Sequence, residues 1–298
     1  MASTALFGYK LAALLSRKLP RKIGLSVASF LGHLIARLDK KRRGQVIRNA
    51  NRLNDSELSR KELNEFVDQT FESYAHYWLN TFRLADMSKQ ELGDTFSYDG
   101  WELIEAAMKE DSGVIVVTPH LGAWDWGGLW ISKIKGVSVS AVVEPLDPPE
   151  LFEWFRQTRN ALGVDVIPVG PDAGAQVLKA LSDKRLIVLV SDRDVGGSSV
   201  EVEFFGENTS LPAGPAALAL RTGATLLPLA IYNKGNGCHG VVRPAIPIER
   251  KGKFRSDIKR ITQTIADEME LLIRKAPEQW HLMQPNWPSD SQSEKDRI

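Results

Sequence analysis

The sequence predicts an α/β fold with a mostly parallel central sheet flanked by helices, preceded by a helical N-terminal region. Three observations carry this reading. Short apolar runs rich in β-branched residues, such as Val114–Val117 and Leu186–Val190, have the composition of strands buried on both faces. Segments with helical patterning separate them, about 10–15 residues long, which is the signature of βαβ units. The first run ends at Pro119, which cannot donate to a ladder, and His120 and Gly122 follow at once. That places a histidine where a buried strand turns into a helix, the edge at which open α/β sheets bind ligands.

The chain has 298 residues, enough for one large α/β domain or two smaller ones. Its 43% hydrophobic and 25% charged residues are those of a globular protein. The net charge of +1 hides an asymmetry, because residues 1–52 hold twelve Lys or Arg against Asp39 alone. A basic end on an acidic body points to an anionic partner, a membrane surface or nucleic acid. The basic residues lack interleaved aromatics and no nucleic-acid motif is present, so the membrane is favoured. Cys238 is the sole cysteine, which excludes an intrachain disulfide and a cysteine-based metal site and fits a reducing compartment. No run reaches the roughly 18 apolar residues that a membrane span needs, and Lys10, Arg17 and Lys18 interrupt any signal peptide.

The elements follow in order. Residues 5–18 and 23–38 are helices broken at Pro20. The second is apolar on most of its circumference, and Lys40–Arg43 follow it, the composition of an interfacial anchor on anionic lipid. In 58–84, Leu63, Phe66, Val67, Thr70, Phe71, Tyr74, Tyr77 and Trp78 recur at helical steps and read as a core stripe. From about residue 95, helices are expected at 101–110, 124–134, 149–162, 173–182, 213–222 and 257–275. Strands are expected at 113–119, 137–143, 164–169, 185–190, 200–205, 225–232 and 241–248. Residues 286–298 read as a loose polar tail. The domain plan is therefore a membrane-associating helical region at 1–90, an α/β core at 91–288 and a tail at 289–298.

His120 and Asp125 lie five positions apart. On a straight helix that spacing leaves the side chains about 140° apart. They meet only if His120 stays in the turn, with Gly122 bending it, and Asp125 lies in the first helical turn. In that case Asp125 accepts from one ring nitrogen and leaves the other as a base. Glu144 closes the next strand, and Asp192-Arg193-Asp194 closes the run at 186–190. If these strands run parallel, His120, Glu144, Asp192 and Asp194 share one edge, and a carboxylate there can orient the histidine. Arg159, near the end of its helix, can face the same cleft and bind phosphate bidentately. Backbone N–H groups near His120 are candidates for an oxyanion site. Trp124, Trp126, Leu129 and Trp130 line an apolar groove or pack in the core.

Gly235-Asn-Gly-Cys-His-Gly240 matches G-x-G-x-x-G by letter only. It lies between strands with no helix after it, so it reads as a hairpin loop with a solvated His239. There is no G-x-S-x-G elbow and no phosphate-binding loop of the G-x-x-x-x-G-K type.

Four blocks in this order are more specific than His-x4-Asp alone: Pro119-His-Leu-Gly-Ala-Trp-Asp-Trp126; Ser191-Asp-Arg-Asp194 leading into Val200–Glu207; Leu211–Pro215; and Ala276-Pro-Glu-Gln-Trp280. They resemble the bacterial lipid A late acyltransferase (HtrB/MsbB-like) family, and within it the actinobacterial phosphatidylinositol mannoside acyltransferases. The resemblance implies a glycerolipid-acyltransferase-like α/β enzyme, peripheral on the cytoplasmic face of the cell membrane. It also implies a long-chain acyl-CoA or acyl carrier protein donor, a glycolipid hydroxyl acceptor, and no resident cofactor or metal. By the same resemblance, His120 is the base, Asp125 the motif acid, and Arg159 an active-site arginine. Asp192 falls where the mannoside enzymes carry a glutamate and the broader family often an aspartate. Glu144, Arg193 and Asp194 complete the expected substrate-binding set. The alternative reading is a metal-dependent glycosyltransferase built on Asp192 and Asp194.

Overall fold

The computed structural model describes residues 4–54, 57–195 and 197–290. The described elements run α1 (Thr4–Lys18), α2 (Arg21–Leu38), α3 (Lys40–Leu53), α4 (Arg60–Arg83), α5 (Lys89–Asp94), β1 (Phe96–Asp99), α6 (Trp101–Ala107), β2 (Val114–Thr118) and α7 (Trp124–Lys133). They continue with β3 (Val139–Val143), α8 (Pro149–Ala161), β4 (Val164–Pro168), α9 (Ala173–Ser182), β5 (Leu186–Val190), β6 (Ser199–Phe204), β7 (Glu207–Pro212), α10 (Gly214–Thr222), β8 (Thr225–Lys234), β9 (Gly237–Val242) and α11 (Phe254–Ile273).

One sheet has the order β1-β9-β8-β2-β5-β3-β4, and β6 and β7 form a separate hairpin. All neighbours in the large sheet are parallel except β8 and β9. The mostly parallel α/β fold expected from the sequence is therefore observed. Successive side chains of β2 point to opposite faces. Ile115 and Val117 join one core with β5, α9, α10 and α11, while Val114 and Val116 join a second core under α6 and α7. A strand buried on both faces needs no polar alternation, which is why Val114–Val117 is continuously apolar.

The N-terminal helices are built differently. The inward face of α2 is Gly24, Ala28, Gly32 and Ala36. A Cβ on Gly32 would lie 2.8 Å from the Phe71 carbonyl oxygen, so only glycine allows this approach to α4. The large apolar residues of α2 point out: Phe30 is 67% exposed and Leu38 72%. Ile23, Val27, Leu31, Leu34 and Ile35 share that outer face, and Phe7, Leu11, Leu14 and Leu15 of α1 are exposed as well. No described helix is long and apolar enough to cross a membrane. On α4, Val67, Thr70, Phe71 and Tyr77 are buried, in line with the core stripe, and a Ser59–Glu62 capping box starts the helix.

Several expectations are corrected. Lys40–Arg43 open a further helix, α3, whose N-cap Asp39 accepts from the Arg42 amide. The expected strand at 241–248 lies earlier, at Gly237–Val242, joined to β8 by a two-residue turn at Gly235–Asn236. His239 is accordingly not solvated, because its ring bonds Ser97 and Asp99. β1 and β7 were not anticipated; the first pairs only with β9 and the second only with β6. The expected loose tail is held at its start. Trp287 is buried, and the fully buried Asp290 carboxylate bonds Gln45, Arg48 and Arg52 of α3. The remainder of that tail, 291–298, lies outside the described residues.

Candidate active site

β2 and β5 pair in parallel with Thr118 opposite Val190. The chain leaves both strands at the same edge, and Ser191 N–H donates to the Thr118 carbonyl at 3.0 Å. Two residues beyond each strand, His120 and Asp192 stand side by side. His120 Nδ1 lies 2.7 Å from Asp192 Oδ1, and the His120 amide donates to Oδ2 at 3.0 Å. Trp280 Nε1 also donates to Oδ2, at 2.8 Å. The carboxylate is wholly buried and the imidazole side chain is 32% exposed. Burial alone would raise the Asp192 pKa, but the charge and hydrogen bonds of His120 and the Trp280 indole outweigh it and hold the carboxyl below its usual range. An ionised carboxylate only accepts, so Nδ1 carries a proton, and in the neutral form of the ring the lone pair is on Nε2. The pair joins a partly exposed imidazole to a buried carboxylate that fixes its orientation.

Asp125 is not the partner of His120. It lies in the first turn of α7 and takes Arg159 Nε at 2.9 Å, Arg159 Nη2 at 3.2 Å and the Tyr77 hydroxyl at 2.6 Å. Burial opposes ionisation of Asp125, and Arg159 and Tyr77 more than compensate, so its pKa is lowered. Arg159 is thereby occupied by a carboxylate rather than free for phosphate. Aromatic packing links the pair to His120: Tyr77 stacks on Trp124 at 4.1 Å, and Trp124 meets His120 edge-on at 5.7 Å. Gly122 has φ +62°, as the required bend demands, and its backbone lies against Ile231.

The N–H groups of residues 120–123 are all bonded, to Asp192, Pro119, Gln279 and Ile231 in order. This removes that turn as an oxyanion site. Trp126, Leu129 and Trp130 are buried in the core, so packing accounts for them, whereas Trp124 borders the histidine.

Glu144 follows β3 at the same edge and pairs with Arg193, whose Nε is buried without a hydrogen-bond partner. Asp194 accepts from the Gly197 amide. Among the described residues no group of three or more His, Cys, Asp or Glu is placed to hold a metal, and both Asp192 oxygens are already taken. The donor set needed by a metal-dependent glycosyltransferase is thus not assembled there.

Sequence reasoning missed three residues at the site. The sequence marks Trp280 only as part of its block and Tyr77 only as part of a core stripe. His281 followed the last block without remark. The His281 amide donates to the His120 carbonyl at 2.8 Å, and its ring packs against Tyr74, Tyr77 and Trp124. Burial and the nearby His120 push the His281 pKa down to about 3, so this second imidazole is neutral.

Comparison with known proteins gives the chain a family. Residues 3–289 match the family described as bacterial lipid A biosynthesis acyltransferase. The chain is 35% identical over 234 residues to a phosphatidylinositol mannoside acyltransferase of Mycolicibacterium smegmatis, covering 78% of this chain and 75% of that one. It is 35% identical over 226 residues to a protein of the same description from Mycobacterium tuberculosis, covering 74% and 70%. A lipid A biosynthesis palmitoleoyltransferase of Escherichia coli is 24% identical over 261 residues, covering 85% and 82%.

Proposed function

Because the chain belongs to the bacterial lipid A biosynthesis acyltransferase family and is an acyltransferase, we propose that it moves a long-chain acyl group from acyl-CoA to a phosphoglycolipid hydroxyl, with His120 as general base. The acceptor is a mannose of phosphatidylinositol mannoside, a reading supported by the descriptions of its 35%-identical relatives. Acyl carrier protein is the second candidate donor.

The observation that carries the mechanism is the His120–Asp192 pair at the sheet edge. The Nε2 lone pair of His120 removes the acceptor hydroxyl proton as the oxygen attacks the thioester carbonyl. The tetrahedral intermediate collapses, the C–S bond breaks, and the imidazolium returns its proton to the leaving thiolate. Asp192 stabilises that imidazolium. A positioned base of this kind contributes about 10²–10⁴ in rate. Thiolate is a good leaving group, so the step needs no covalent enzyme intermediate. Arg193, with a buried and unpartnered Nε, and its partner Glu144 are suited to phosphate and sugar hydroxyls at the rim, with Asp194 beside them. Asp125, Arg159 and Tyr77 act one layer back by fixing Trp124.

The outward apolar face of α1 and α2 supports a peripheral position on a membrane surface, and the cytoplasmic face is the side we propose. Arg17, Lys18, Lys22 and Lys41 flank it and suit anionic lipid.

The test is incubation with labelled palmitoyl-CoA or palmitoyl-acyl carrier protein, offering phosphatidylinositol mannosides and lipid A precursors in parallel. Label in a mannoside from the CoA donor supports the full reading. Label only from the carrier protein, or only in lipid A precursors, replaces the donor or acceptor. No labelled lipid in any arm refutes the reading.

A further inference from the structure

The segment 279–281 runs antiparallel to 120–122 as a short splint. Gln279 accepts from the Gly122 amide at 2.9 Å, Leu121 and Trp280 form a bridge, and the His281 amide donates to the His120 carbonyl at 2.8 Å. The splint therefore fixes the histidine turn by its backbone. Trp280 does something separate, because its side chain reaches the other half of the pair. The indole lies in an aromatic box of Phe204, Phe205 and Trp287. A phenylalanine would keep the aromatic contacts of that box but leave part of it empty. What the indole adds is one N–H, spent on Asp192 Oδ2 at 2.8 Å.

We propose that Trp280 is a positioning residue that sets the basicity of His120, by sharing the negative charge of Asp192 and so weakening its hold on the imidazolium. Asp192 accepts from three donors, and two of them belong to His120 itself. The indole is the only one of these independent of the base. Without it, the buried carboxylate concentrates its charge on the ring proton of His120, imidazolium is favoured, and the base is blocked at higher pH. The other charged or titratable groups about the pair do not substitute. On the same segment, His281 is neutral. On α4, Tyr77 is committed to Asp125, which is balanced by Arg159 of α8. From β3 and the loop after β5, Glu144 and Arg193 balance each other, and Asp194 accepts from Gly197.

The measurement is the ring titration of His120 by NMR on histidine-labelled protein, with the signal assigned by its loss in His120→Gln. Four proteins are compared: the wild type, Trp280→Phe, a Trp280 replaced by its benzothiophene isostere, and Gln279→Ala. The isostere keeps the shape and loses only the donor, so it remains decisive if Trp280→Phe does not fold. Gln279→Ala removes the side-chain bonds to Asn233 and leaves Asp192 untouched. The midpoint is expected to rise by about half to one pH unit without the donor and to stay put in Gln279→Ala. An unchanged or lowered midpoint in the isostere, or an equal rise in Gln279→Ala, overturns the inference. A second readout, the acid limb of the rate profile with palmitoyl-CoA, rests on the proposed acyl transfer and should move by the same amount. If the ring titration moves but no donor is consumed, the acyl-transfer reading fails and the Trp280 inference stands. If transfer occurs and the midpoint does not move, the reverse holds.

Discussion

Asp192 Oδ1 and His120 Nδ1 are 2.7 Å apart although 72 positions separate them in the chain. Parallel pairing makes this contact. Thr118 and Val190 are opposite each other, so the second residue past each strand shares one level at the edge. The histidine gets its proton acceptor from a neighbouring strand and not from its own helix, and both residues sit on rigid supports.

His120→Ala is expected to lower transfer by about 10²–10⁴; the partly exposed side chain leaves little cavity, but the buried Asp192 carboxylate loses its ring partner, so the melting point should fall while the fold is kept. Asp192→Asn should cost a similar factor by allowing the wrong tautomer, and should move the acid limb to lower pH because imidazolium loses its counter-charge. Initial rates across pH, with a melting curve for each variant, check both. Full activity in a folded His120→Ala protein would end the mechanism.

The Asp125–Arg159 pair predicts a stability effect. Removing one partner of a buried ion pair leaves an uncompensated charge and costs about 3–5 kcal/mol. Asp125→Ala and Arg159→Ala should each be destabilised on that scale, and the double variant by much less than their sum. The pH sign follows from the lowered Asp125 pKa. The stabilisation is present above the unfolded value of about 3.9 and is lost as pH falls below it through the folded value. Urea titrations from neutral to acid pH should show this loss in the wild type and its reduction in Asp125→Asn. Additive single effects would show that the pair is not coupled.

The sheet and the edge that carries His120 and Asp192 were legible because a strand buried on both faces leaves a continuous apolar run, and Pro119 and Ser191-Asp192 mark where two such runs stop. The partner of His120 was ambiguous because the nearby Asp125 is visible in sequence, whereas register between strands is not. What turned Asp125 away was Arg159 on α8 and Tyr77 on α4, and neither spacing nor composition places those helices. α3 was hidden because Lys40–Arg43 read as a charged flank, while its buried face of Gln45, Val46, Asn49, Ala50 and Leu53 includes two amides whose partners, Leu282 and Asp290, are far away in the chain. β7 pairs with β6 alone, and its Glu207-Asn-Thr-Ser has little strand character. On α2 the apolar character was plain, but which side faces in depends on the backbone of α4.

Gly32 makes that dependence measurable. Gly32→Val places a Cβ at 2.8 Å from the Phe71 carbonyl and forces α2 off α4. Overpacking of this kind costs about 1–3 kcal/mol. Gly44, whose built Cβ meets nothing nearer than the Arg48 side chain at 3.6 Å, is the control, and Gly44→Ala should be neutral or slightly stabilising. Thermal melts decide between them, and equal effects would mean that close α2–α4 contact does not matter.

The last prediction concerns the outer face. An apolar patch exposed on two consecutive helices has no partner among the described residues, and flanking Arg17, Lys18, Lys22 and Lys41 suit a negatively charged surface. Burying a phenylalanine side chain contributes about 1.5–3 kcal/mol, so Phe7→Asp with Phe30→Asp should reduce binding to vesicles containing phosphatidylglycerol by at least about tenfold. Both side chains are mostly exposed, so the melting curve should not change. Exchanging Lys18, Lys22 and Lys41 for Gln should weaken binding at low salt and matter less at high salt, since those charges act through a screened field. Co-sedimentation of the double Asp variant equal to that of the wild type would mean that α1 and α2 do not dock on lipid. A loss matched in neutral phosphatidylcholine vesicles, with no salt dependence, would keep the apolar contact and remove the role of the cations.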